Sequence, residues 1–321
     1  MRTSTVDYRT LAGDPPLAGP LVQWSTVRVA VIADIHANLP ALEAVLEDVD
    51  ALGVDRLVVN GDVVNRGPAN VATMRLLEER PTSGTLGNHD DLMRMWVERD
   101  PDLPGEWFDD PFWSSAGWAA RHLQDAGLID AIRRLPMTLR IASAGAPSLL
   151  ISHGSPRHYR EGYGKFLIDE AISEITQMHP ADVLVGSHTH RPMQRRWGHY
   201  LVLNTGAVGS PFNGDARAQY LVLTLEGGAW TPQFRRVPYD REAALRAFTE
   251  SGYLDEGGLS ARIFLEELRN ARSYLVPFLM WCEEQGRSHG ESAWREFQQR
   301  FEQRFRAPSP AGAGVEVVAE A

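Results

Sequence analysis

The sequence has little cysteine, no long apolar run and fewer basic than acidic residues. Cys282 is the single cysteine among 321 residues, which excludes an intrachain disulfide framework and fits a reducing compartment. We expect its side chain to be a small buried apolar group. No stretch has the length and apolar purity of a membrane span, and residues 1–24 show neither a signal-peptide nor an anchor pattern. The sequence therefore predicts a cytoplasmic protein with no membrane partner.

The charge balance narrows the range of partners. The 32 basic and 42 acidic residues give a formal net charge of −10. Such a balance argues against a broad surface for nucleic acid or for anionic lipid, although it is compatible with a local basic pocket. With 43% hydrophobic residues, the chain can form a substantial core in one large domain or in two smaller ones.

Short apolar strands alternate with helices in the first part of the chain. The run 27–32 is apolar and β-branched, which predicts a buried strand, and helical spacing of apolar residues follows over 39–52 and 70–80. Strands predicted at 57–59 and 82–86 complete a β-α-β-α-β order. Strands joined by helical crossovers pair in parallel, so we expect a parallel arrangement here.

The second half contains more strands at closer spacing. They are predicted at 138–142, 149–152, 183–185, 200–204, 219–225 and 231–237, with one helix over 165–178. The short turns between them favour antiparallel pairing. Both halves together predict a mixed α/β fold with two packed sheets.

Two further segments have a distinct composition. Residues 91–135 hold four of the nine tryptophans, and we keep two interpretations of this helical insertion. In the first interpretation, its aromatic rings bury one another in a small core of their own. In the second, the segment forms a cap whose aromatic side chains contact a substrate. Residues 241–306 are predicted to be helical and to pack on the main domain, which is favoured over a partner-binding role.

Boundary signals complete the predicted organisation. We expect Pro277 to kink or end a helix. Residues 307–321 are rich in proline, glycine and alanine, which predicts a disordered tail, and residues 1–24 predict an irregular arm. The remaining main domain is predicted to span residues 25–240.

Polar residues of the kinds that bind metals follow five of the apolar strands. They are Asp34-Ile35-His36, Gly61-Asp62, Gly87-Asn88-His89-Asp90, Ser152-His153-Gly154 and Gly186-Ser187-His188-Thr189-His190. Each motif alone is a weak signal. Because functional sites of α/β folds gather at strand ends, the five motifs together predict a metal-dependent hydrolase.

This set of motifs resembles the calcineurin-like metallophosphoesterase superfamily over about residues 27–240. Asp34-Ile35-His36-Ala37-Asn38-Leu39 is similar to the bacterial and archaeal members that are grouped with small phosphodiesterases and diadenosine tetraphosphatase-like proteins. The resemblance implies a four-layer α/β sandwich of two mixed β-sheets flanked by helices, with two metal ions at the sheet edge. It implies these ligands: Asp34, His36 and His190 for the first ion, Asn88, His153 and His188 for the second, and Asp62 as the bridge.

The types of ligand in the implied set indicate which metals they bind and which chemistry those metals support. Imidazole, carboxylate and one amide oxygen without thiolate suit Mn, Fe, Zn, Co or Ni, and manganese is our first choice. Two such divalent ions can share a bridging hydroxide that attacks phosphorus while the ions absorb the developing charge. His89 lies next to a ligand but is not assigned to a metal, so it is the candidate proton donor for the leaving oxygen.

One position departs from the pattern of a related branch. Asp62-Val63-Val64-Asn65-Arg66-Gly67 is similar to the Gly-Asp-x-Val-Asp-Arg-Gly signature of the protein phosphatases, with Asn65 where their second aspartate orients the catalytic histidine. A neutral partner raises an imidazole pKa less than a carboxylate does, so Asn65 bears on both the strength of His89 as an acid and its orientation. Arg66 matches the phosphate-binding arginine of that branch, and a surface arginine in a turn is the alternative.

We therefore predict binuclear metal-dependent hydrolysis of a small or nucleotide-like phosphodiester or phosphomonoester. The motif that begins at Asp34 favours diesters, whereas the signature around Arg66 favours monoesters. A protein serine/threonine phosphatase-like enzyme is the first alternative. A non-catalytic metal-binding scaffold is the second, and the complete set of ligands together with His89 argues against it.

Overall fold

The computed structural model describes residues 26–142, 146–305 and 314–318. The arm predicted at residues 1–24 lies outside this part of the chain. Within these residues, no helix combines the length and the apolar character that a membrane crossing needs.

Strands and helices are interspersed up to residue 237, four helices follow, and a short strand is the last described element. Its elements are β1 Val27–Ile32, α1 Leu39–Leu52, β2 Arg56–Asn60, α2 Asn70–Glu78, β3 Thr82–Thr85, α3 Asn88–Glu98, α4 Ser114–Asp125, α5 Ile129–Arg133, β4 Thr138–Ile141, β5 Leu149–Ser152, α6 Asp169–Met178, β6 Val183–Gly186, β7 Pro192–Trp197, β8 Tyr200–Thr205, β9 Ala218–Glu226, β10 Ala229–Val237, α7 Arg241–Glu250, α8 Tyr253–Asn270, α9 Leu275–Glu284, α10 Glu291–Arg300 and β11 Glu316–Val318. Short 3-10 turns lie at Gly105–Phe108, Pro111–Trp113 and Glu302–Phe305.

The strands form two mixed sheets. The first has the order β10-β9-β1-β2-β3, in which β1, β2 and β3 are parallel and β9 is antiparallel to β1. The second has the order β11-β7-β8-β6-β5-β4. The antiparallel pairing predicted for the second half is wrong for β5, β6 and β8, which are parallel neighbours. The reason is that α6 crosses over between β5 and β6, and β7 takes the far side of β8.

The side chains of β1 point alternately to the two faces of the first sheet and belong to two different cores. Val29 and Val31 pack between the two sheets, whereas Ala30 and Ile32 pack on the opposite face against α1. Helix α6 covers the outer face of the second sheet through Ile172 and Ile175. The order of layers is therefore helices, sheet, sheet, helix, which confirms the predicted sandwich of two mixed sheets flanked by helices.

Three features of the structure differ from the sequence predictions. The helix predicted from residue 165 begins at Asp169, and the strand β7 was not predicted because its Met193-Gln194-Arg195-Arg196 sequence is largely polar. Pro277 neither kinks nor ends a helix. It lies in the first turn of α9, where the missing backbone N–H costs no helical hydrogen bond.

The aromatic rings of residues 91–135 share a core with the C-terminal helices. The ring of Phe112 lies 6.2 Å from that of Phe278, and the ring of Trp118 lies 4.9 Å from that of Tyr253. The prediction that the segment forms a small core of its own is therefore wrong. The buried Cys282 belongs to the same core, as expected of a small apolar side chain.

The described part of the C-terminal tail is ordered into a strand. Residues Glu316–Val318 form β11, which pairs in parallel with β7. The prediction of a disordered tail is wrong for these residues, because hydrogen bonding to a sheet edge compensates for their poor core-forming composition. The domain boundaries proposed at residues 24, 240 and 306 stay predictions.

Candidate metal centre

Loops at the carboxyl ends of β1, β2, β3, β5 and β6 bring all seven predicted ligand residues together. The candidate ligand atoms of one group lie within 4.8 Å of one another, and the same holds for a second group. The first comprises Asp34, His36, Asp62 and His190, and the second comprises Asp62, His153 and His188. The amide oxygen of Asn88 lies 3.2 Å from Nε2 of His153. Asp62 belongs to both groups, which is the position expected of a bridge.

The carboxylates of the centre have oxygen atoms without partners. Within the described residues, Oδ1 of Asp34 and Oδ2 of Asp62 are buried and accept no hydrogen bond. Nε2 of His190 lies 3.5 Å from Oδ1 of Asp34, and Nε2 of His153 lies 3.3 Å from Oδ2 of Asp62. A buried carboxylate oxygen that accepts no hydrogen bond is costly, so these atoms fit a place where a cation binds.

Two histidines are fixed in the orientation that metal ligation requires. Nδ1 of His153 lies 2.8 Å from the carbonyl of Asn60, and Nδ1 of His190 lies 2.5 Å from the carbonyl of Ser210. Because a carbonyl only accepts, both Nδ1 atoms carry the proton and donate it. In the neutral imidazole the lone pair is then on Nε2, which faces the centre.

The loops of the centre have an unusual backbone. Of the ten non-glycine residues with positive φ in the described chain, eight lie in these loops, namely Asp34, His36, Ala37, Asp62, Asn65, Arg66, His188 and His190. Left-handed conformations of residues with a Cβ cost free energy and cluster at functional sites. This concentration supports the assignment of these loops to a site.

Glycine is required where two of the loops touch. A Cβ on Gly87 would lie 2.1 Å from the backbone nitrogen of Asp62, and one on Gly209 would lie 1.8 Å from the carbonyl oxygen of Ile35. The backbone N–H of Gly209 donates to the carbonyl of Asp34 at 2.9 Å. The glycine-bearing turn after β8 therefore supports the ligand loop after β1 by direct backbone contact.

Asp90 is a residue of the centre that the sequence motifs contained but did not explain. Its Oδ2 accepts from the backbone N–H of Asp62 at 2.7 Å and of Gly87 at 3.2 Å. Its Oδ1 accepts from the N–H groups of Val63 and Val64 at 2.9 and 3.2 Å. One buried carboxylate thus joins the loops after β2 and β3. The signal for it was its place in Gly87-Asn88-His89-Asp90, three residues after the glycine at the start of a helix.

The histidines of the centre differ in charge. Burial lowers the pKa values of His36 and His190 well below the usual range, which keeps them neutral and able to bind a cation. Burial also disfavours charge on His153, but the neighbouring Asp62 carboxylate outweighs it and raises the pKa of His153 to about 10. A divalent cation therefore competes with a proton at this position.

His89 is a neutral hydrogen-bond donor in this environment. Burial lowers its pKa to about 3. Nδ2 of Asn65 lies 3.0 Å from Nδ1 of His89, and Oδ1 of Asn65 accepts from the backbone N–H of Arg66 at 2.7 Å. The second contact fixes which end of the amide faces the imidazole. Nδ1 of His89 is therefore the acceptor, and its proton resides on Nε2.

Arg66 is buried, so the alternative of a surface arginine in a turn is wrong. Its side chain is 7% exposed, and its guanidinium forms an ion pair with Glu267 of α8. The guanidinium carbon lies 5.3 Å from the ring centre of Phe212 and 4.8 Å from that of Phe264. No local pattern pointed to Glu267, because 201 positions separate it from Arg66.

Residues 27–192 match the model of the calcineurin-like phosphoesterases, which covers just over half of the chain. The chain belongs to this family. It is a hydrolase that acts on phosphoester bonds. Family membership implies divalent metal ions, and the two groups of buried ligand atoms in this phosphoesterase could hold them.

Two solved structures and one relative are similar to this chain. A metallophosphoesterase from Sphaerobacter thermophilus is 26% identical, with a TM-score of 0.57 over 73% of this phosphoesterase and 100% of that chain. An uncharacterised protein from Methanocaldococcus jannaschii is 24% identical over 252 residues, which are 74% of this chain and 97% of the relative. A hypothetical protein from Pyrococcus horikoshii, 19% identical with a TM-score of 0.58 over 74% of this chain and 97% of its own, shares the fold.

Proposed function

We propose that the protein hydrolyses a small or nucleotide-like phosphoester at a centre of two divalent metal ions. The observation that carries this proposal is the position of Asp62, whose carboxylate is common to two groups of buried ligand atoms. A carboxylate has two oxygens and can bind two cations at once, which a neutral imidazole cannot do.

The residues present fit two ions. Asp34, His36 and His190 would hold one, Asn88, His153 and His188 would hold the other, and Asp62 would contact both. The absence of thiolate in this set favours Mn²⁺, with Fe, Zn, Co and Ni as the alternatives. When bound, such ions supply Lewis acidity and lower the pKa of a coordinated water.

The remaining polar residues would act on the substrate. Arg66 offers a planar guanidinium for the phosphoryl oxygens, and His89 offers the proton on Nε2 to the leaving oxygen. Because the Glu267 carboxylate pairs with Arg66, the arginine brings little net positive charge to the site. This arrangement favours a singly charged phosphodiester over a doubly charged phosphomonoester.

Replacement of two ligands tests the proposed function. We expect His153→Ala and Asp62→Asn to lower the turnover of bis(p-nitrophenyl) phosphate with Mn²⁺ by more than about 100-fold, since even outer contacts of metal sites are worth about 10- to 100-fold. The bound metal, measured by mass spectrometry, should fall below the two ions per chain expected of the unaltered protein. His199→Ala, in an exposed histidine, is the matched control and should retain both.

The alternatives give different results in the same assay. A panel of aryl phosphomonoester, aryl phosphodiester, cyclic nucleotides, dinucleoside polyphosphates and a phosphopeptide separates the substrate classes. Preference for the phosphopeptide would favour a protein phosphatase-like enzyme. Two bound metal ions with no turnover of any member would favour a scaffold, and unchanged turnover in both ligand variants would refute the assignment of the centre.

A further inference from the structure

The predicted metal centre has accessible surface at Asn88, His89 and His188. These three residues are partly exposed. The remaining predicted ligands are buried, namely Asp34, His36, Asp62, His153 and His190. A substrate that reaches the metal ions therefore enters at the exposed side, which we call the opening of the centre.

Residues 155–164, which we call the rim segment, border this opening on two sides. The hydroxyl of Tyr159 donates to Oδ2 of Asp91 at 2.9 Å, and Asp91 lies in the first turn of α3, the helix that begins at a predicted ligand. The segment also packs on His188, because a Cβ on Gly162 would lie 3.1 Å from Cδ2 of its imidazole. A residue between these two contacts therefore lies beside the opening.

Arg160 occupies this place, and its side chain is exposed. The guanidinium carbon lies 5.9 Å from the ring centre of Tyr159. The backbone N–H of Arg160 donates to Nδ1 of His158 at 3.0 Å, which fixes the course of the chain here. Burial lowers the pKa of His188 to about 4, and the charge of Arg160 contributes in the same direction. The guanidinium is therefore close enough to act on this imidazole.

Arg160 is a cation without an acidic partner. Among the residues that the structure describes, no carboxylate forms an ion pair with its guanidinium. Three other arginines of the centre or the rim segment are paired: Arg66 with Glu267, Arg157 with Glu161 and Glu174, and Arg191 with Glu316. Arg160 therefore supplies positive charge at the opening that no carboxylate offsets.

We propose that Arg160 binds a second phosphate group of the substrate while the phosphoryl group that is hydrolysed lies at the metal ions. The two groups are distinct because Arg160 is exposed, whereas the atoms common to both predicted metal sites are buried. A phosphate on an alcohol carries a charge of about −1.5 to −2 at pH 7, and a planar guanidinium can contact two of its oxygens at once. The proposal rests on the proposed function and narrows the substrate to a phosphoester with a further phosphate group.

Two phosphonates that differ at one end test the proposal. Isothermal calorimetry with the Mn²⁺-loaded protein compares propylphosphonate with trimethylene diphosphonate, which share one phosphonate for the metal centre. We expect the diphosphonate to bind at least about 5-fold more tightly, the upper end of what an exposed ion pair contributes. In Arg160→Gln this preference should fall to about twofold or less, and added salt should weaken it in the unaltered protein, because exposed charges are screened.

Lys165→Gln is the matched control, because it removes the same charge just beyond the end of the rim segment. The ammonium of Lys165 lies 5.0 Å from the ring centre of Phe166, whose side chain is 85% exposed, so it faces solvent. This variant should keep the preference for the diphosphonate. An equal loss in Lys165→Gln and Arg160→Gln would show a response to overall charge and overturn the contact with Arg160.

A third ligand tests the assignment to phosphate. In γ-phosphonobutyrate a carboxylate replaces the second phosphonate at the end of the same three-carbon chain. It should bind less tightly than the diphosphonate, because a carboxylate has less charge and fewer acceptor oxygens. Equal affinities of the two compounds would overturn the assignment of this position to a phosphate group.

The remaining outcomes separate this proposal from the proposed function. Loss of affinity for both phosphonates by the same factor in Arg160→Gln would place Arg160 on the hydrolysed phosphoryl group and overturn the proposal. Hydrolysis of bis(p-nitrophenyl) phosphate by a protein that does not prefer the diphosphonate refutes the second phosphate site and leaves the enzymatic assignment intact. A preference that depends on Arg160 in a protein that hydrolyses no phosphoester supports the site and refutes the proposed function instead.

Discussion

A single carboxylate, that of Asp90, organises the loops from which the metal ligands project. It accepts four backbone hydrogen bonds while it is almost completely buried. Backbone N–H groups in such loops have no sheet or helix partner, so a side chain must satisfy them. At the residue scale, the centre therefore depends on an acid that would touch neither metal nor substrate.

We expect Asp90→Ala to lower the free energy of unfolding by about 3 kcal/mol or more, because each buried N–H left without an acceptor costs about 1–3 kcal/mol. Metal content should fall as well, since the loop that carries Asp62 loses its support. Urea denaturation and metal analysis measure the two effects. Asp130→Ala, in a side chain that is 69% exposed, is the control, and equal midpoints for the two variants would contradict the role of Asp90.

Burial lowers the pKa of His89 to about 3, and the contact with Asn65 fixes which ring nitrogen carries the proton. In Asn65→Asp, a carboxylate faces Nδ1, accepts its proton and favours the charged imidazolium. Opposite charges at this distance move a pKa by about 1–3 units, so the pKa of His89 should rise by that amount. Histidine NMR titration of the protein measures it. An unchanged titration of His89 would show that the two side chains are not coupled.

At the scale of elements, helix α8 connects the end of the chain to the centre. Oε1 of Glu267 accepts from the backbone N–H groups of Tyr274 and Leu275 at 2.7 and 2.9 Å, and Oε2 pairs with Arg66. The same carboxylate therefore fixes the start of α9 and holds the guanidinium in place. The C-terminal helices are thus part of the architecture of the site.

We expect Glu267→Ala to lower the free energy of unfolding by about 3–5 kcal/mol, because removal of one partner leaves the other charge buried and unpaired. Glu267→Gln keeps an acceptor oxygen and should lose less. Chemical denaturation measures both variants. The adjacent Glu266→Ala, whose partner Arg269 is half exposed, should change stability by less than about 1 kcal/mol. If the Glu266→Ala and Glu267→Ala variants are equally stable, the ion pair between Arg66 and Glu267 does not stabilise the fold.

At the scale of the whole molecule, Asp48 joins the outer helices to the first sheet. It lies in α1, accepts from the hydroxyl of Tyr220 in β9 at 2.5 Å and pairs with Arg235 of β10 at 2.6 Å. Partial burial disfavours its charge, but the hydrogen bonds from Arg235 and Tyr220 outweigh this and lower the pKa of Asp48. Its ionised form is therefore stabilised by folding.

This shift predicts how stability depends on pH. Because the pKa of Asp48 is lower in the folded protein, its contribution is present above the ordinary aspartate pKa of about 3.9 and is lost as the pH falls through the folded value. We expect Asp48→Asn to be less stable by about 1–2 kcal/mol at pH 7 and to approach the unaltered protein below pH 4. Urea titrations across this range check it, with exposed Glu283→Gln as the control. A constant difference at all pH values would exclude ionisation as the cause.

The motifs could be predicted because each consists of residues that are adjacent in the sequence. Asp34 and His36 follow an apolar strand directly, and so does His153, so strand ends and ligand types could be read together. Asp90 lies in the motif Gly87-Asn88-His89-Asp90, but three of its four hydrogen-bond donors come from the loop after β2. The polar strand β7 and the parallel pairing in the second sheet were missed because hydrogen bonding between distant strands leaves no local pattern.

The sequence by itself determined the β-α order, the buried strands and the residue types that bind metals, since periodicity and motif spacing are local properties. Only the tertiary structure decided that Glu267 pairs with Arg66, that the Trp-rich segment shares a core with the C-terminal helices, and that α7 and α8 enclose a cavity beside His36. The physical reason is that packing and ion pairing depend on distances in space. No local sequence pattern relates two residues that are 201 positions apart, such as Arg66 and Glu267, and only folding brings them into contact.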